Sequence, residues 1–92
     1  MTDSNTIYVG DKKLGKYINA VEIRLEEFEE VFISARGNNI RKAVDALELL
    51  KRKHKVKPVN IETGTDELVN DDTGEEFKIS TLDVLITQEN EE

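Results

Sequence analysis

The chain has 92 residues and no cysteine, and 13 Lys and Arg against 20 Asp and Glu give it a formal net charge of -7. That length suits one small domain with a modest core. A disulfide framework and a thiolate metal site are excluded, and a cytoplasmic setting fits better than a secreted one. No apolar run approaches the roughly 18 residues of a membrane span, and the opening MTDSNT lacks the basic and apolar regions of a signal peptide, so no membrane partner is expected.

Residues 1–5 read as a flexible N-terminus and 88–92 as a flexible acidic tail, leaving 6–87 as a single domain. TIYV (6–9) predicts a short strand closed by Gly10. From Leu14, apolar residues recur at Tyr17, Ile18, Val21, Leu25 and Phe28, the spacing of a helix with one buried stripe. Tyr17 is expected to pack its ring on the sheet and expose its hydroxyl. VFISA (31–35) is an unbroken, largely apolar run, as in a strand that is covered on both faces or central in its sheet. GNN interrupts it, with Asn38 or Asn39 able to cap a second helix. That helix carries the stripe Ile40, Ala43, Val44, Leu47 and Leu50, and ends near KRKHK before a stop at Pro58.

Two strands follow, VNIETGTDEL and EFKISTLDVLIT, joined by the turn NDDTG. In the last, the apolar alternation changes phase between Phe77 and Ile79 on one side and Leu82, Val84 and Ile86 on the other. A bulge near Ser80 and Thr81 would account for the change. The element order is βαβαββ.

Charge is segregated along the chain: residues 1–57 are net +3 and residues 58–92 net -10. A phosphate polymer responds to the local field of one face, within a Debye length of roughly 8 Å, so whole-chain charge does not exclude it. A strand-helix-strand crossover is right-handed in nearly all cases, so both helices begin at one edge of the sheet. There the first loop brings Lys12, Lys13 and Lys16, and the second brings Arg36, Arg41 and Lys42. Each helix start adds free N–H groups and about half a positive charge. Gly37 would let an anion approach the backbone, and together these features predict a phosphate site.

Cations at a helix start disfavour it by a few tenths of a kcal/mol, whereas KRKHKVK (51–57) complements a helix end. The first cluster therefore calls for a ligand and the second does not. Arg41 with Asp45, and Glu48 with Arg52, are candidate i, i+4 pairs worth roughly 0.2–0.5 kcal/mol each. One histidine and no cysteine leave no metal set, no nucleophilic triad can be assembled, no Walker loop occurs, and the hairpin acids miss the EF-hand spacing. No enzymatic activity, cofactor or small-molecule substrate is expected.

At IYVGDKKLGKYI, ISARGNNIRKAVDALELL and KISTLDVLI the sequence resembles the Alba family of small archaeal chromatin and RNA-binding proteins, over nearly the whole span from Thr6 to Thr87. The resemblance implies an α/β two-layer sandwich: a four-stranded mixed sheet, two helices on one face and a protruding β-hairpin. It also implies a homodimer binding double-stranded DNA or RNA. On its pattern Lys12, Arg36, and Arg41 or Lys42 touch phosphates, with Asn38 and Asn39 as neighbouring donors, and Lys13 and Lys16 complete the basic group. The chain departs from the pattern in three places. Asp11 replaces the first of a lysine pair, Asn38 replaces an arginine, and the hairpin tip DELVNDDTGEE is acidic where family arms are basic. Weaker non-specific DNA binding than in a typical member is expected.

Leu49 projects about 180° from Ile40 on a helical wheel, and Leu50 and Ala46 bridge the gap, so Leu49 and Leu50 are candidates for a subunit contact, although a lone surface leucine is common. His54 falls where some members carry an aromatic that joins dimers, and reads as a capping or edge residue. The competing functional class is a protein-interaction module that uses its acidic arms and binds little nucleic acid.

Overall fold

The computed structural model describes residues 5–89. They form β1 (Thr6–Val9), α1 (Leu14–Glu27), β2 (Glu30–Arg36), α2 (Asn39–Lys53), β3 (Val56–Val69) and β4 (Glu76–Gln88). The sheet order is β1-β2-β4-β3, with β1 and β2 parallel and the remaining pairs antiparallel. Both helices cover one face, giving the expected two-layer βαβαββ arrangement.

β2 shows why the sheet sits as it does. Its buried residues are Val31, Ile33 and Ala35, while Phe32 and Ser34 face the other way. The VFISA run is thus central in its sheet but covered on one face only. Against it pack Tyr17, Ile18 and Val21 from α1, and Ala43, Ala46, Leu47 and Leu50 from α2. Leu50 has no exposed surface at all, so it belongs to the core and not to a subunit contact. Leu49 is half-buried and packs against the same core. The place of Leu50 on the core stripe of α2 holds; what fails is its added role as a contact residue, because α2 rests on α1 as well as on the sheet, which widens the helix's buried arc.

Several local expectations are corrected. Asn38 sits at the N-cap of α2, but neither it nor Asn39 caps through its side chain. α2 ends at Lys53 with the His54 N–H donating to the Leu50 carbonyl, and Pro58 lies within the edge strand β3, where a missing donor is tolerated. Glu48 pairs with Lys51 rather than Arg52, and Arg41 and Asp45 make no ion pair among the described residues. The one register shift lies on β3 between Pro58 and Asn60, not at Ser80 and Thr81. The phase change in β4 instead marks where its apolar side chains pass from the helix-covered face to the open one. The domain also reaches past 6–87: Asn5 donates to the Glu30 carbonyl, the Gln88 amide to Leu25, and the Glu89 N–H to Lys55. The flexible-terminus expectations for 1–4 and 90–92 fall outside the described residues.

The end of α2 is fastened to the body of α1 by Glu22, whose carboxylate accepts from His54 Nε2 at 2.8 Å and lies 3.5 Å from Lys53 Nζ. The hydrogen bond from His54 holds the Glu22 carboxyl below its ordinary range against the opposing effect of burial, and Lys53 adds to the lowering. His54 is therefore an edge residue joining α2 to α1.

β3 and β4 run on past the helices as a two-stranded arm, which makes the molecule 56 Å long against 25 and 22 Å. Its turn is closed by Asn70, whose side-chain oxygen accepts the N–H groups of Asp72 and Thr73. At the arm's base Gly37 has φ +57°, and its N–H donates to the Ser80 carbonyl at 2.7 Å. A Cβ there would stand 2.7 Å from Ile79 Cδ1. Gly37 thus serves the junction of body and arm, and its N–H is not open to an anion. Gly37→Ala should lower stability by about 1–3 kcal/mol through left-handed strain and overpacking. Combining it with Ile79→Ala should relieve the collision but not the strain, so thermal melts of the two single variants and the double variant are expected to be non-additive.

Candidate nucleic-acid interface

Because β1 and β2 are parallel neighbours, the β1–α1 loop and the β2–α2 loop leave the sheet side by side at the same edge. What joins them is polar. The Tyr17 hydroxyl accepts the N–H groups of Gly10 and Lys12, both at 2.9 Å. From the other side, Lys42 Nζ donates to the carbonyls of Gly10 at 2.8 Å and Lys12 at 2.7 Å, and lies 5.8 Å from the centre of the Tyr17 ring. Two expectations change accordingly. The Tyr17 hydroxyl is turned inward as a loop anchor, and Lys42 is a fastener between loop and helix with two of its three protons already committed.

The remaining cations separate into two groups. Lys12, Lys13, Lys16 and Arg41 are exposed and make no ion pair among the described residues. Arg36 is exposed but paired: Nη2 lies 2.9 Å from Asp66 Oδ2 on the arm. With 62% of the arginine side chain exposed, that bond is one a phosphate can displace, since open pairs of this kind contribute roughly 0–1 kcal/mol. Sequence reading missed the pair because its partners are 30 residues apart and lie on different elements.

Two open hollows lie at this edge. One, of about 390 Å³, is lined by Arg36, Asn39, Ser34 and Tyr8 among others. The other, of about 330 Å³, is lined by Lys12, Lys16, Tyr17 and again Tyr8. The structure thus brings together Lys12, Lys16, Arg36 and Asn39 around one tyrosine. Lys13, at the N-cap of α1, and Asn38 and Arg41, at the start of α2, sit at the same helix starts but line neither hollow. Tyr8 was not foreseen as a surface feature. Its signal lay in the alternation of TIYV: Ile7 and Val9 are buried, so Tyr8 must face outward, and it is 73% exposed.

Away from the edge, the arm carries exposed Val69 and Phe77 among its acids. No cluster of His, Asp and Glu suited to a metal ion occurs among the described residues, and no helix there is long and apolar enough to cross a membrane.

A family model described as Alba matches residues 5–65. The "DNA/RNA-binding protein Alba" of Methanococcus maripaludis is 33% identical over 88 residues, covering 89% of this chain and 96% of its own. The protein of the same name from Methanoculleus marisnigri is 34% identical over 90 residues, covering 95% and 97%. Among solved structures, "Alba from Thermoplasma volcanium" superposes with a TM-score of 0.82 at 28% identity, covering 90% of this chain and 99% of that one.

Proposed function

The chain belongs to the Alba family, and from that premise we propose that it is a non-catalytic nucleic-acid-binding protein of the chromosome or of transcripts in the cytoplasm. Double-stranded DNA or RNA is taken on the shelf where the two helices start. Lys12, Lys13, Lys16, Arg36 and Arg41 meet phosphates there, and Asn38 and Asn39 supply neutral donors. The observation that carries this reading is the Lys42 bridge to Gly10 and Lys12, which fixes the lysine loop beside the arginine loop. Lys42 itself contributes positive potential to the shelf more than a direct contact.

Non-specific affinity is weaker than basic arms would give, because Asp66 competes for Arg36 and the arm's other acids repel a duplex lying along it. The exposed Val69 and Phe77 beside those acids favour a second reading, in which the arm meets a basic protein partner. Absence of nucleic-acid binding even at about 50 mM salt would select it, since phosphate contacts are strongest there.

The protein acts as a homodimer. Ile61 pairs with the buried Val84 and so lies on the helix-side face of β3, yet it stays 57% exposed, and Val59 and Val44 on α2 are nearly half exposed. A second copy covering this flank, with Leu49 at its margin, would remove that apolar surface from water.

Arg36→Glu should abolish tight duplex binding with the fold unchanged, and should reduce the slope of log affinity against log salt by at least about one phosphate contact, near 0.9. Asp66→Asn should act oppositely, raising affinity about two- to fivefold by releasing Arg36. Fluorescence anisotropy across a salt series reads both, and equal affinity of all three proteins would show that the shelf is misassigned. Ile61→Asp should convert the dimer to a folded monomer in sedimentation velocity; an unchanged mass would place the subunit contact elsewhere.

A further inference from the structure

We propose that Tyr8 is a stacking platform for an unpaired nucleobase, so that the shelf binds a single-stranded segment next to the duplex it holds. The inference rests on the nucleic-acid reading above and names the form of nucleic acid that this edge recognises.

Tyr8 has no structural task that explains it. The residue is 73% exposed, its hydroxyl makes no hydrogen bond among the described residues, and it lies on β1, at the opposite edge of the sheet from the Val59 and Ile61 flank. Dimerisation through that flank leaves Tyr8 in solvent. An exposed aromatic is a poor choice for a surface unless something covers it, and its surroundings say what. The hollow on one side holds Arg36 and Asn39, and the hollow on the other holds Lys12 and Lys16. A strand of nucleic acid needs this combination: a flat apolar face for a base, cations on both sides for the phosphates that flank it, and an amide that can pair with the base edge.

The geometry also excludes a base inside a duplex. A paired base offers its faces only to its stacking neighbours, whereas a ring standing out from a sheet needs a base splayed from the stack. Phe32 lies on the same open face one strand away, aligned with Thr6, two residues before Tyr8. It is more than a third exposed and extends the apolar ground under a second nucleotide. Both single-stranded RNA and single-stranded DNA present this chemistry, and the test includes each.

The test compares a labelled blunt hairpin with the same hairpin carrying a short single-stranded overhang, as RNA and as DNA, at one salt concentration. The overhang should tighten binding to the wild-type protein about five- to hundredfold, the range expected for stacking one base. Tyr8→Ala should lose that preference and keep its affinity for the blunt hairpin, and Tyr8→Phe should retain the preference. A second readout avoids the hairpins. The chain has two tyrosines and no tryptophan, and the Tyr17 hydroxyl is engaged internally. Polyuridylate should therefore quench tyrosine emission in the wild type and leave Tyr8→Phe unquenched. Equal wild-type affinity for blunt and overhung hairpins, or equal weakening of both by Tyr8→Ala, overturns the stacking site and leaves the duplex reading intact. Failure of the wild type to bind any of the nucleic acids overturns both.

Discussion

Between the end of β1 and the start of α1 the backbone has no ladder to join, and two side chains hold it in place. The Tyr17 hydroxyl takes the N–H groups of Gly10 and Lys12, and the Lys42 ammonium takes the carbonyls of the same two residues. Four main-chain groups that would otherwise depend on water are satisfied from within the fold. The loop therefore has one position relative to α2, and so do the lysines it carries. The arrangement also explains why a lysine is tolerated in the first turn of a helix, against the macrodipole: its charge is met by two carbonyl oxygens instead of being left to oppose the helix. The phosphate-binding cations proposed here are long and mobile at their tips, but their Cα positions are set, which lowers the ordering cost when a ligand arrives.

That dependence runs from the core outward. Tyr17 can anchor the loop only because its ring is buried between Ile18, Val21 and the sheet, and Lys42 can reach across only because Ala43, Ala46 and Leu50 seat α2 closely. Small residues at 43 and 46 bring the helix near enough for a lysine stem to span the gap. Sequence, packing and site are one chain of causes here: the apolar stripe fixes the helix, the helix fixes Lys42, and Lys42 fixes the loop.

Most of the fold was legible because hydrophobic period is a local property. The stripes of α1 and α2, the alternation at the end of β4 and the Asn-Gly-rich turn each declare themselves within a dozen residues. What was illegible is relational. Whether a change of phase in β4 is a bulge or a passage between the open face and the helix-covered one depends on Gly37 and Ile79, which are 42 positions apart in the numbering. Whether Lys42 is a ligand-binding cation or a fastener depends on where Gly10 and Lys12 turn their carbonyls. Arg36 could be seen as basic and exposed, but not as the partner of Asp66. Tyr8 is a different case. Its outward direction was implied by the buried Ile7 and Val9 on either side, and it was overlooked because a four-residue strand is read as a unit and seldom residue by residue.

The remaining puzzle is how a chain of net charge -7 can offer a cationic shelf at all, and spacing along the arm resolves it. Asp66, at the arm's base, touches Arg36 and subtracts directly from the local field. From Asp66 the strand runs on for three residues to Val69, roughly 10 Å at about 3.3 Å per strand residue, and Asp71 and Asp72 lie in the turn beyond it. The Debye length at physiological salt is about 8 Å, so the tip acids are screened from the shelf by more than one such length. They dominate the composition without dominating the site. The acids that matter to the shelf are Asp66, which stands within hydrogen-bonding distance of a cation, and Asp11, which sits in the lysine loop itself. A ligand that competes with one carboxylate for one arginine faces a far smaller opposing charge than the net figure implies.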